Sequence, residues 1–312
     1  MEVGRDVTIS RLRAQGYKAF YIAIGCQGGR LTGVSGEDAE GVVTAVDFLR
    51  KTSAGEAWPL TGDAVVIGGG NVAVDVSRTA MRCGAAKVSQ YCLESEKEMP
   101  ASDEEVAEAR ADGVAVNCGW GPKEILTENG KVTGIVLKRC VSVYDADHRF
   151  SPKYDESDTV TVPCAQVFLA VGQSIQWGKL IEGTGVKTGR GNGALVDGLT
   201  CQTDEPDIFA GGDVVTGPKF AIDAIAAGKE AAISIHRFVQ PHTSLTIGRN
   251  RNDYIELDKG DIRVGDYDHS KRQVPGVDSS IDQKRSFRDP AKVCISDPVA
   301  ARGSRNRLAR RL

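Results

Sequence analysis

Ala64-Val-Val-Ile-Gly-Gly-Gly-Asn-Val-Ala-Val-Asp-Val-Ser-Arg-Thr-Ala-Met-Arg-Cys-Gly-Ala-Ala86 decides how the rest of the chain is read. Residues 64–67 form an apolar run short enough for one buried strand. Gly68, Gly69 and Gly70 break it. Val72, Val76, Ala80 and Met81 then recur at helical spacing until Gly84 stops the helix. Gly68-x-Gly70-x-x-Ala73 fits a dinucleotide fingerprint. The first small residue permits the tight turn, the second lets backbone approach a pyrophosphate, and the third lets the helix pack close on its strand. The helix N-terminus, with Asn71 and Val72 in its first turn, offers free N–H groups to the anion. A further strand over residues 87–93 supplies the strand–turn–helix–strand context that the fingerprint requires. A purely structural turn is the competing reading.

Glu94 stands at the end of that second strand. A carboxylate there accepts hydrogen bonds from the adenosine ribose and repels a 2′-phosphate. Residues 92–95 hold no Arg or Lys, so NAD(H) is favoured over NADP(H). The alternative is a surface glutamate within the charged run 94–98.

The chain has 312 residues, room for two domains or one large α/β unit. Its net charge of −3 gives no pull toward nucleic acid or an anionic membrane. No apolar run reaches the length of about eighteen residues needed for a membrane span, and the N-terminus has no signal core. Cysteines stand at 26, 83, 92, 118, 140, 164, 201 and 294, never as C-x-x-C. That spacing argues against a disulfide framework, a metal site, an iron–sulfur cluster or a redox-active dithiol. It fits buried thiols in a reducing cytoplasm.

Taken in order, residues 9–14 are helical and residues 17–26 form a strand ending in glycine. Residues 42–49 are a short helix with Phe48 and Leu49 at its apolar end, and residues 51–62 are a linker. Ser102 and Glu105 form a capping box opening a helix that ends at Gly113. Residues 114–118 are a strand. Residues 124–127 and 131–143 alternate as a β-meander turning at Asn129-Gly130. Residues 145–158 read as loop, 159–163 as a short strand, and 166–172 as a buried one ending at Gly172. This last run resembles residues 21–25, and the two bracket the dinucleotide unit, which therefore looks inserted in another domain.

Asp207-Ile-Phe-Ala-Gly-Gly-Asp213 is a second strand that runs into glycine. Gly217-Pro218 and an alanine-rich helix over residues 220–236 follow. Gly211 and Gly212 let the chain pass close to a cofactor, Asp213 can accept from a sugar-like hydroxyl, and the helix aims its positive end at the site. A buried turn with a capping Asp is the plain alternative. Beyond Pro241 the composition turns to mixed charge, and residues 302–312 carry five arginines and no acid. Such a tail has a charge suited to RNA or anionic lipid, but without interleaved aromatics it reads as a disordered extension.

With these residues quoted, the chain resembles the pyridine-nucleotide-disulfide oxidoreductase superfamily, and more closely the small (beta) subunit of glutamate synthase and related iron–sulfur NAD(P)H oxidoreductase flavoproteins. The likeness rests on Val66-Ile-Gly-Gly-Gly-Asn-Val-Ala-Val-Asp75, on Glu98-Met-Pro-Ala-Ser102 with Glu105 and Val106, and on Thr203-x-x-x-x-Ile-Phe-Ala-Gly-Gly-Asp213. It implies an α/β fold in which a Rossmann-like NAD(P)-binding domain with a β-meander is inserted in a partial FAD-binding domain. Residues 1–60 are then the remnant of the first flavin half with a linker, 61–170 the NAD(H) domain, 171–240 the C-terminal flavin half, and 241–312 a charged extension. The resemblance also implies FAD and NAD(H) as cofactors, with catalysis by the cofactors rather than by a side chain. Gly68, Gly69, Gly70, Asn71, Val72, Ala73 and Glu94 belong to the nicotinamide nucleotide on this reading, and Gly172 to the cofactor-binding set. Gly212, Asp213, Ala221 and Ile222 belong to the flavin. The implied partner is an electron-accepting subunit, iron–sulfur or like the large subunit of glutamate synthase. NADPH-using members carry Arg where this chain has Leu93 and Glu94.

Two departures follow. The family's first flavin strand with its own G-x-G-x-x-G has no counterpart after Met1, and the family pattern breaks off at Cys294. A truncated or frameshifted reading frame is the expectation. The resulting function is an NAD(P)H-dependent FAD oxidoreductase subunit, and the alternative is a truncated module that binds NAD(H) without turnover. Thioredoxin-reductase-type dithiol chemistry is disfavoured by the cysteine spacing.

Overall fold

A computed structural model describes residues 1–249. The expected C-terminal extension therefore lies, beyond residue 249, outside the described residues. The elements are α1 (Ile9–Ala14), β1 (Phe20–Ile22), β2 (Gly28–Gly29), β3 (Val42–Thr44), α2 (Ala45–Ser53), β4 (Ala64–Ile67), α3 (Asn71–Arg82), β5 (Val88–Cys92), α4 (Asp103–Ala111) and β6 (Ala115–Cys118). They continue with β7 (Trp120–Glu128), β8 (Lys131–Tyr144), β9 (Phe150–Pro163), β10 (Gln166–Leu169), β11 (Gln173–Ser174), β12 (Ile208–Ala210), α5 (Asp213–Thr216) and α6 (Ala221–Val239).

Five parallel strands in the order β3-β10-β4-β5-β6 form the central sheet. A parallel sheet is covered on both faces, and the alternation along β4 and β10 shows what covers each. Ala64, Val66 and Phe168 join a core with α2, α3 and α4. Val65, Ile67, Val167 and Leu169 point the other way and meet Ile125, Val132, Ile135 and Leu137 of the meander. The three antiparallel strands β7-β8-β9 thus take the place of a second helical layer. The β7–β8 hairpin turns at Asn129 (φ 52°) and Gly130 (φ 77°). Two consecutive positive φ values are what a type I′ turn demands.

A separate core holds Ile9, Ile22, Trp177, Ile208, Ala210 and Val214. Here β1 pairs with β12 in parallel, Phe20 opposite Ile208, although nearly the whole central sheet lies between them in sequence. The dinucleotide unit is therefore an insertion, as expected. Arg13 on α1 forks onto Asp207 at 2.7 Å and Glu205 at 2.6 Å, tying α1 to the turn before β12. The two-stranded ribbon β2–β11 lies where the chain passes between the two bodies.

Several expectations change. Residues 42–49 are not one helix: Val42–Thr44 is an edge strand paired with β10, and the helix starts after Thr44, whose Oγ1 accepts from the Asp47 N–H at 3.3 Å. Three consecutive β-branched residues favour the pleated edge over a helical turn. This strand and α2 pack on the central sheet, so the expected division near residue 60 falls within one packed body. The strand expected over residues 17–26 is short, Phe20–Ile22. The expected loop at 145–158 becomes strand from Phe150 onward, because β8 is long enough to pair with it across register shifts, Tyr144 opposite Phe150 and Arg139 opposite Asp155. The two apolar runs that bracket the insertion lie in different sheets.

The capping box forms only in part. Ser102 Oγ accepts from the Glu105 N–H at 3.4 Å, whereas Glu105 Oε2 is buried with no partner among the described residues. Burial, then Asp75 and Glu108, push the Glu105 carboxyl up from its ordinary value, against the pull of Arg78. A carboxyl raised in the folded state supports folding while protonated and loses that support as pH rises through its folded value. Glu105→Gln is expected to raise the unfolding midpoint at neutral pH and to leave it unchanged in acid, read from parallel melts. Equal midpoints at neutral pH count against it. Among the described residues no helix is long and apolar enough to cross a membrane.

Candidate functional site

The first cleft opens at the carboxyl ends of β4, β5 and β10, beside the point where strand order reverses between β4 and β10. Open α/β sheets bind ligands at such a switch point. Its cavity measures about 790 Å³. Gly68, Gly69, Gly70, Asn71 and Val72 line it from one side, Tyr91, Cys92, Leu93 and Glu94 from the next strand, and Gly172 and Gln173 from beyond β10.

Each glycine is required for its own reason. Gly68 has φ 147°, and a Cβ there would overlap the Ala170 carbonyl oxygen. A Cβ on Gly69 would come within 2.7 Å of Glu94 Oε2, so glycine is what lets that carboxylate lie over the turn. Gly70 has an ordinary φ of −90° and nothing within 4 Å of an added Cβ. Its missing side chain leaves open space in the cleft.

The turn is braced from behind. The buried Gln90 donates from Nε2 to the Gly68 carbonyl at 3.0 Å, and the Ser77 hydroxyl donates to Gln90 Oε1 at 3.1 Å. Across the front, the Ala101 N–H donates to the Gly69 carbonyl at 3.0 Å and the Ser102 N–H to Asn71 Oδ1 at 2.9 Å. Glu98-Met-Pro-Ala-Ser102 is thereby strapped onto the glycine turn. The first N–H groups of α3 lack intrahelical acceptors, and Gly70 caps them with no side chain.

The second cleft, about 380 Å³, is lined by Tyr21, Gly25, Gly211, Gly212, Asp213 and Ala221, among others. Gly212 has φ 76°, a left-handed value that suits glycine. Asp213 Oδ1 accepts from the Lys219 N–H at 3.2 Å and so holds the 217–219 segment. Pro218 lines the first cleft and Lys219 the second, so one segment borders both. Burial, then Asp213, push the Cys26 thiol up, with Arg30 opposing.

Two expected site residues lie outside the clefts. Ala73, in the first turn of α3, is 0 % exposed and faces the core beneath that helix, consistent with the helix-packing role of the fingerprint's third small residue. Ile222 is 68 % exposed and does not line the second cleft. Sequence reasoning missed Gln90, Arg30 and the meander wall of Trp120, Lys138, Pro152 and Tyr154. The clue was present: Phe150, Pro152 and Tyr154 alternate as one face of a strand would, within a stretch read as loop. The Lys138 ammonium lies 4.2 Å from the Tyr154 ring centroid, and the Arg139 guanidinium 3.7 Å from that of Trp120.

The family model for pyridine nucleotide-disulphide oxidoreductases matches residues 3–228. The chain belongs to that family. It is 33% identical over 295 residues to the NADP(+)-dependent formate dehydrogenase subunit beta of Moorella thermoacetica, covering 92% of this chain and 41% of that one. It is 32% identical over 257 residues to the glutamate synthase [NADPH] small chain of Escherichia coli, covering 77% and 54%. The chain thus spans about half or less of these relatives. FprA of Mycobacterium tuberculosis, solved in complex with NADPH, shares the fold at a TM-score of 0.62 and 19% identity, covering 76% of this chain and 67% of that one.

Proposed function

We propose that the chain is a subunit, or part of one, of an NADH-dependent flavoprotein oxidoreductase that passes electrons from NADH through FAD to a partner protein. The observation that carries this reading is that two glycine-lined clefts are lined by neighbouring residues of one segment, Pro218 for the first and Lys219 for the second. Each cleft follows a parallel strand that breaks into glycine ahead of a helix.

The residues fit both cofactors. Open space over Gly70 and the uncapped start of α3 suit a pyrophosphate. Gly172, Gln173 and Pro218 line the same cleft and would suit its nicotinamide end. Gly212 and Asp213 suit the ribityl and pyrophosphate of a flavin, and Ala221 the approach of its ring. Bound FAD supplies hydride acceptance from the nicotinamide and electron delivery onward. The protein supplies position: Gln90 and Ala101 hold the glycine turn, and Asp213 holds the Lys219 backbone beside the second cleft. On this reading residues 61–170, with β3 and α2 packed on the same sheet, act as the nicotinamide domain and residues 171–240 as half of the flavin domain, in a cytoplasmic protein. The names of the relatives, a subunit beta and a small chain, support an electron-accepting partner subunit and favour turnover over a passive nucleotide-binding module.

The choice of NADH rests on Glu94, since both of those relatives are named for NADP(H). Glu94→Arg is expected to shift the NADPH-to-NADH affinity ratio upward by about tenfold, roughly 1.4 kcal/mol. Titrations of nicotinamide fluorescence read it, and an unchanged ratio removes Glu94 from nucleotide selection. The overall proposal is tested by anaerobic NADH addition to the full chain supplied with FAD. Bleaching of the flavin absorbance is the expected result. A chain that neither retains FAD nor reduces it overturns the oxidoreductase reading.

A further inference from the structure

The carboxyl ends of β5 and β6 hold a pair of cysteines that sequence spacing concealed. Cys92 and Cys118 are register partners on adjacent parallel strands. Their side chains leave the sheet on the same face. Neighbouring strands run about 4.8 Å apart, within the roughly 4.4–6.8 Å Cα range over which a disulfide closes without moving backbone. Both cysteines are free, and Cys118 lies close enough to help push the Cys92 thiol up.

Cys92 stands in the wall of the first cleft, with Cys118 beside it on the next strand. Cys92 is 2% exposed and lines that cleft, while Cys118 is half-buried. Cys92 Sγ donates to the Glu94 carbonyl at 3.7 Å, and the N–H of Gly119, next to Cys118, donates to the same carbonyl at 2.9 Å. Both halves of the pair therefore hold the backbone of Glu94, whose carboxylate lies over Gly69. Burial, then Cys118, push the Cys92 thiol far up, so Cys92 rests as a neutral thiol.

We propose that Cys92 and Cys118 form a reversible disulfide, made by hydrogen peroxide, that weakens nucleotide binding at the adjoining cleft. The half-buried Cys118 reacts first. Its sulfur attacks the peroxide, the O–O bond breaks, one oxygen leaves as water, and a sulfenic acid remains. The Cys92 sulfur then displaces hydroxide from that sulfenic acid. The S–S bond forms, the S–O bond breaks, and the Cys92 proton leaves with the hydroxide as water. Two thiols are oxidised and one peroxide is reduced to two waters. Once Cys92 has no S–H, its bond to the Glu94 carbonyl is gone, and the residue over the glycine turn is held on one side only. A dithiol reductant reverses the step by exchange.

The functional part of the proposal rests on the first cleft being the NADH site; the disulfide itself does not. The test treats the full chain with hydrogen peroxide, blocks remaining thiols with N-ethylmaleimide and digests with trypsin. The expected product is peptide 88–97 linked to peptide 111–123, lost on dithiothreitol treatment and absent from Cys118→Ser. The dissociation constant for NADH should rise roughly fivefold on oxidation and return on reduction, the loss of one hydrogen bond. Recovery of both cysteines as maleimide adducts or as separate sulfinic acids overturns the pair. A linked peptide with unchanged NADH affinity overturns the gating. If the reduced chain binds no NADH, the nucleotide reading of the cleft fails, and the linked peptide alone decides the pair.

Discussion

Gly68→Val is expected to lower the unfolding free energy by about 3 kcal/mol and to abolish measurable NADH binding, combining backbone strain with overpacking. Gly68 sits at φ 147°, a region closed to a β-branched residue. A Cβ there would overlap the carbonyl oxygen of Ala170, which is backbone and has no rotamer to yield. That carbonyl follows β10, so the substitution pushes β4 and β10 apart at the mouth of the cleft. Gly70→Ala is the informative control. Gly70 already has φ −90° and open space around an added Cβ. Alanine there should change stability by no more than about 0.5 kcal/mol while occupying the space over the turn, so NADH binding weakens with the fold intact. Chemical denaturation and NADH titration of both variants separate the two roles. Equal stability losses would contradict the assignment of Gly68 to the fold and Gly70 to the ligand.

Truncating Phe48 should be as damaging, and for a reason remote from the cleft. Phe48 is fully buried, with ring centroids 4.4 Å from Phe168 and 5.7 Å from Trp58. Through it α2 is anchored on β10, the strand that closes one side of the cleft. Phe48→Ala is expected to cost about 4 kcal/mol, the transfer of a large ring plus the cavity left behind. For a body of this size that is a fall of about 10 °C in melting temperature. Calorimetry reads it directly. A loss below about 1 kcal/mol would mean that α2 does not share the core of the central sheet.

The two predictions also mark where sequence reasoning reached and where it stopped. Gly68 and Gly70 were legible because the strand, the turn and the helix N-terminus are contiguous, and each imposes its residue types within a few positions. Phe48 was visible as apolar, yet its partner Phe168 lies far along the chain, so its weight in the core was not. The segment at residues 150–158 is polar and carries Pro152, and read alone it is a loop. Only the presence of β8 beside it supplies the ladder that makes it a strand and turns Tyr154 into part of the cleft. Gln90 stood unremarked within the strand expected over residues 87–93 and became the brace of the glycine turn, donating to the Gly68 carbonyl.

By itself the sequence determined the two glycine turns, the helices they open, the Asn129-Gly130 hairpin and the insertion of one unit in another. These depend on backbone conformations that few residues tolerate and on periodicities of a few residues, both readable locally. The tertiary structure alone decided that β1 joins β12, that β3 and α2 belong to the central sheet, that the meander walls the cleft, and that Cys92 meets Cys118. Each of those is a pairing between residues distant in sequence, set by which apolar faces are left to be covered, and no local rule carries that information.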